Sequence, residues 1–161
     1  MSVRVPPVVL FSGAVVVQHL LGGDARPTSR SVVSSIPFAA ASAWLIGFSL
    51  REFRIHRTTV DPIDVTSVRT LVTEGPNRST RNPMYVGMLS ALVAHAVARR
   101  SWSALLPAAA FVGLIDRCQI AAEEAALGAE FGAQFDHYAA QVPRWLDHRS
   151  VTFLLPGSRP D

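Results

Sequence analysis

Two short runs in this chain gather residue types that bind charged groups: Arg81-Asn82-Pro83, followed by Tyr85 and Gly87, and the adjacent carboxylates Glu123-Glu124. Proline fits the first turn of a helix, whose unpaired N–H groups favour anions. Arg81-Asn82-Pro83 at the head of an apolar helix therefore either holds an anionic group or anchors the helix at an interface. Carboxylates beside an apolar segment are expensive unless partnered, and they can hold a cation. Neighbouring helix positions point about 100° apart, so Glu123 and Glu124 cannot both face one ligand fully. One of them can pair with Arg117 or Arg144, or both can lie on a solvated face. His95, inside an apolar helix, reads as a hydrogen-bonded packing residue. The lone Cys118 reads as apolar filler, and offers neither an internal disulfide nor a metal cluster.

The elements that must position these residues are read from hydropathy. No residue is charged from Val5 to Gly23 or from Ser31 to Leu50, and each stretch is close to the ~20 residues that cross hydrocarbon as helix. Gly22-Gly23-Asp24 is a poor cleavage site and a second apolar block follows, so the pair predicts an anchored antiparallel hairpin, not an export signal. Pro27 and Ser29 supply its turn. Met84–Ala98 and Ser101–Ile115 are apolar too, but each is only 15 residues long, about 22 Å of helix. They either tilt and borrow flanking residues, or form a hairpin whose tip, with Arg99-Arg100 and Trp102, reaches the far interface. From Arg51 to Arg81 the chain is polar, punctuated by Pro62, Gly75 and Pro76. Beyond Ile115 helix-forming residues continue to about Gln141, with Leu127, Phe131, Phe135 and Tyr138 on one largely aromatic stripe. Val142-Pro143 ends it.

These patterns predict an all-α integral membrane bundle of about four transmembrane helices, near residues 5–23, 31–50, 84–98 and 101–120. A cytoplasmic loop and a C-terminal interfacial helix over about 121–141 complete one domain, 1–150, followed by a poorly ordered tail, 151–161. All 15 basic residues are arginines, scattered rather than gathered into a nucleic-acid face, in a chain of net charge +3. Arg51, Arg54, Arg57, Arg69, Arg78 and Arg81 follow the second block, against Arg26 and Arg30 before it. The positive-inside rule then puts the N-terminus and the polar segment in the cytoplasm of a multi-pass cell-membrane protein. No dinucleotide glycine fingerprint, P-loop, Cys/His metal spacing or nucleophile elbow is present, which disfavours a Rossmann site, a nucleotide triphosphatase, a zinc enzyme and an α/β-hydrolase.

In order, Leu71-Val-Thr-Glu-Gly-Pro-Asn-Arg-Ser-Thr-Arg-Asn-Pro-Met-Tyr-Val-Gly87, Glu123-Glu124-x-x-Leu127, Phe131-Gly132, Tyr138 and Val142-Pro-Arg-Trp145 resemble the isoprenylcysteine carboxyl methyltransferase and phospholipid methyltransferase superfamily. The resemblance spans about half the chain, and Thr58-Thr59-Val60-x-Pro62 resembles the family's approach to the polar loop. It implies a membrane methyltransferase that uses S-adenosylmethionine. Arg81, Asn82, Tyr85, Glu123, Glu124 and Tyr138 would line the cofactor site, with Arg81 and Glu123 closest to catalysis and no metal. The implied acceptor is lipid-like or isoprenoid and reached from the bilayer. Asn82, Asn77 and Phe135 depart from residues common in the family, so the acceptor stays open between a carboxylate, which needs no deprotonation, and an amine, which needs a base such as His137 or a glutamate. The alternatives are a non-catalytic carrier that keeps the fold, and a membrane reductase.

Overall fold

A computed structural model describes residues 5–22, 26–55 and 71–152. Among them every regular element is helical: α1 Pro7–Leu21, α2 Ser29–Ile55, a 3₁₀ turn Gly75–Arg78, α3 Pro83–Ala98, α4 Leu105–Leu114, a π-helical turn Ile115–Ile120, α5 Ala121–Phe131, α6 Ala133–Gln141 and α7 His148–Thr152.

Helix α2 begins where Thr28 and Ser31 cap each other: the Ser31 N–H donates to Thr28 Oγ1 (3.2 Å) and the Thr28 N–H to Ser31 Oγ (2.9 Å). It runs antiparallel to α3, with Ser31 Oγ donating to the Ala98 carbonyl at one end (2.8 Å) and Leu45 and Ile46 against Gly87 near the other. The interface is built of small residues. Ser31, Ser35, Ser42 and Ser49 of α2 are buried, as are Gly87, Ala94 and Ala96 of α3. A Cβ on Gly87 would lie 2.8 Å from Ile46 Cγ1, so the backbones approach as closely as helices do in membranes. Large apolar side chains point outward instead: Val8, Val16 and Leu20 on α1, and Val33, Ile36 and Trp44 on α2, are all exposed. Serine inside and valine outside inverts the pattern of a water-soluble bundle and suits an apolar solvent.

Helix α1 packs on α3 and α4, closing a core of Ala14, Tyr85, Leu92, Ala108, Phe111, Ile115 and Ile120. Gln18, wholly buried, ties these helices together. Its Nε2 donates to the carbonyls of Leu92 (3.0 Å) and Ala104 (2.7 Å), and its Oε1 accepts from His95 Nδ1 (3.1 Å). His95 is thus a hydrogen-bonded packing residue.

Ser29–Glu52 and Leu105–Phe131 are long and apolar enough to cross a membrane, whereas α1 and α3 are shorter apolar helices. The second of these spans differs from the sequence expectation of a helix ending near 120 and an interfacial one starting at 121. α4, the π turn and α5 form one helix, and the break falls later, at Gly132, whose φ of 51° a side chain would resist. The aromatic stripe is therefore split between two helices. Phe135, Tyr138 and Val142 are buried together, with Leu71, Leu127 and Phe131 packed against them. The last nine residues and Thr58-Thr59-Val60 and Pro62 lie outside the described residues.

Candidate functional site

Three chain segments meet where α3 begins. Asn82 precedes Pro83 at the head of α3, the π turn delivers Glu123 and Glu124 to the start of α5, and the Val142–Trp145 strap returns across both. The strap is held by backbone and side chain alike. The Arg81 N–H donates to the Pro143 carbonyl (2.9 Å), while the Arg144 carbonyl accepts from Thr80 Oγ1 (2.9 Å) and Asn82 Nδ2 (3.0 Å).

Arg81 reaches from this junction into the cluster. Its Nε and Nη2 donate to Glu124 Oε1 (3.1 and 2.7 Å), and its Nη1 donates to the carbonyls of Ala139 (2.8 Å) and Val142. The guanidinium thus satisfies carbonyls that α6 leaves unpaired at its C-terminus, where positive charge is favoured. Glu124 is shared. Arg144 donates to it through Nε (3.2 Å) and Nη2 (2.5 Å), and through Nη1 to both oxygens of Asp116 (3.2 Å each). Trp145 Nε1 also donates to Asp116 (2.9 Å). The Glu124 hydrogen bonds, opposed by burial and reinforced by Asp116, hold Arg144 above the usual arginine value, so it stays charged.

Glu123 faces the other way. Its Oε1 accepts from the Tyr85 hydroxyl of α3 and from Gln119 Nε2, both at 2.7 Å. The roughly 100° between neighbouring helix positions is realised as two distinct environments, one around Glu124 built on Arg81 and Arg144, and one around Glu123 that includes the Tyr85 hydroxyl and the Gln119 amide. Tyr138 sits beside Arg81 but turns its hydroxyl to the Asn77 carbonyl (2.8 Å). Burial pushes its phenol above the ordinary tyrosine value, so it remains a donor.

The six residues marked by the sequence therefore form one region: Arg81 with Glu124, Tyr85 with Glu123, and Asn82 and Tyr138 clamping the strap and the loop. Arg144 was legible as a pairing option and as part of the strap motif. Asp116 and Gln119 carried no sequence signal, and Thr80 and Trp145 appeared only within the loop and strap motifs. Among the described residues no group of three metal-ligating side chains occurs.

Chemically, the cluster offers carboxylates for an ammonium, guanidinium charge for a carboxylate, and a tyrosine hydroxyl at the mouth of an apolar bundle. Comparison with curated proteins and with solved structures finds no match. The family model for phospholipid methyltransferases matches residues 31–134, from the first turn of α2 through both glutamates to the start of α6. With more than half of its length matched, the chain belongs to the phospholipid methyltransferase family, within the isoprenylcysteine and phospholipid methyltransferase superfamily.

Proposed function

We propose that this protein is an S-adenosylmethionine-dependent membrane methyltransferase acting on an amphiphilic acceptor drawn from the bilayer, either a lipid or an isoprenylcysteine-like carboxylate. The observation that carries the reading is the meeting of Arg81, Asn82, Tyr85, Glu123 and Glu124 at one end of the bundle, inside the family match. The donor set fits the cofactor, which is a zwitterionic amino acid joined to a nucleoside. When bound, S-adenosylmethionine supplies an electrophilic methyl group whose in-line transfer to the acceptor breaks the carbon–sulfur bond and returns the electron pair to sulfur.

Such a displacement needs alignment and exclusion of water more than a strong acid. In this reading Glu123, oriented by Tyr85 and Gln119, holds the cofactor's ammonium. Arg81 contributes mainly its charge and its hold on Glu124, because four of its five N–H groups already have acceptors in Glu124, Ala139 and Val142. Asn82, Glu124 and Tyr138 complete the lining. The arginine distribution supports a cytoplasmic N-terminus and a cytoplasmic site. Helices α1 and α3, shorter than α2, cross by local thinning of the bilayer and by borrowing flanking residues that snorkel to the interface.

Calorimetry in detergent with S-adenosylhomocysteine, and radiolabelled methyl transfer to lipid extract and to a prenylcysteine, test this. Binding and label in one acceptor class are expected, with binding lost in Glu123→Gln at near-unchanged melting. A folded protein that binds neither the cofactor nor its product overturns the proposal. Binding without transfer to any acceptor favours the carrier.

A further inference from the structure

We infer that Asp116 is a positioning residue for this site, acting through Arg144 on Glu124, and that the π-helical turn Ile115–Ile120 is the device that puts it in register. The inference rests on the reading of Glu124 as part of the cofactor site.

Asp116 and Glu124 are eight residues apart on one continuous helix. In regular α-helix that separation turns their side chains about 80° away from each other. A π turn bonds i to i+5 and so absorbs one residue more than an α turn, making the effective separation about seven residues. The two side chains then fall within about 20° of one line along the helix, some two turns apart. The axial gap, about 10 Å between backbones, is closed by Glu124 and Arg144 together. Helical side chains lean toward the N-terminus, so Glu124 reaches back toward Asp116. The Arg144 guanidinium spans the remainder, with Nη1 on both Asp116 oxygens at 3.2 Å and Nε and Nη2 on the two Glu124 oxygens.

Asp116 is itself fixed independently, by the Trp145 indole at 2.9 Å. Among the described residues nothing else accepts from Arg144 Nη1. The Arg144 side chain is 34% exposed, so without Asp116 it is tethered at one edge only and can swing toward solvent. Glu124 would then answer to Arg81 alone, and its carboxylate would turn. The backbone of the same residue is the acceptor for Thr80 and Asn82. Residue 144 therefore couples both walls of the site, and Asp116 sets its side chain.

The test uses the full chain in detergent with S-adenosylhomocysteine as probe. Asp116→Asn keeps the shape and the acceptor for Trp145 but removes the charge. It should weaken binding about tenfold, the order of one charge-assisted hydrogen bond, at a melting temperature close to wild type. In an Arg144→Gln background the same substitution should add less than about twofold, since residues acting through one another are not additive. Trp145→Phe, a milder change, should weaken binding about threefold. Wild-type affinity in both Asp116→Asn and Trp145→Phe, or full additivity with Arg144→Gln, overturns the positioning role and leaves the proposed function standing. Absence of binding by folded wild type overturns that function and this inference with it.

Discussion

Substituting Arg81 with alanine removes a side chain that is only 13% exposed and that joins the approach to α3 with Glu124 of α5 and with the carbonyls of Ala139 and Val142 at the end of α6. Deleting one member of a buried ion pair costs about 3–5 kcal/mol. Arg144 still neutralises Glu124, which places this case at the low end, while the two orphaned carbonyls restore part of the cost. A loss of about 3 kcal/mol is expected, or about 6–12 °C in melting temperature for a chain of this size. Arg81→Lys retains charge but not the fork, and should fall near halfway. Thermal unfolding followed by circular dichroism in detergent measures both. Arg81→Ala melting within ~2 °C of wild type would refute the argument that the guanidinium ties α6 and the strap to the bundle. The same result bears on function, because cofactor binding by Arg81→Ala is interpretable only at temperatures well below its own transition.

Other expectations follow from the packing and from burial. Gly87→Ala places a Cβ 2.8 Å from Ile46 Cγ1 and 3.3 Å from the Ile46 backbone nitrogen, and should cost about 1–3 kcal/mol in the same melts. Gly13→Ala, with nothing within 4 Å, is the control and should be neutral or slightly stabilising. Gln18→Leu gives up three interhelical hydrogen bonds, and at about 0.6 kcal/mol each in a membrane setting should lose about 2 kcal/mol. The Tyr138 phenol is held above its ordinary value by burial. Its stabilising contribution is therefore complete below about pH 10 and is lost as pH rises from there toward the folded value, since the unfolded phenol ionises first. Unfolding at about pH 9 and about pH 11 should show a fall in stability that Tyr138→Phe reduces.

The all-helical character was legible because apolar blocks and their stops are written in composition: Pro83 after Asn82 starts α3, and Pro27 with Ser29 marked the turn before α2, although the cap itself falls to Thr28 and Ser31. The divergence of Glu123 and Glu124 was legible too, because it follows from helix geometry alone. The partnership of Asp116 with Glu124 was not. A regular helical wheel sets them about 80° apart, and nothing in Ile115-Asp-Arg-Cys-Gln-Ile120 announces the extra residue of a π turn. Gln119 was missed for the same reason. Gly132 could have been read as a break, but the run of Leu127, Phe131, Phe135 and Tyr138 at helical spacing argued for continuity, and only tertiary packing decides between them. The strap was visible as Val142-Pro143 ending a helix, while its destination depends on contacts more than sixty residues back in sequence.

That long return has a consequence for how the molecule is made. Synthesis is vectorial, so α1 to α5, with Asp116 and both glutamates, exist before Arg144, which follows Glu124 by 20 residues. During that interval the carboxylates lack the guanidinium that later bridges them, and Thr80 and Asn82 lack the carbonyl that later accepts from them. The Arg144 half of the ionic cluster is therefore added last, and its completion reports that synthesis has passed the strap.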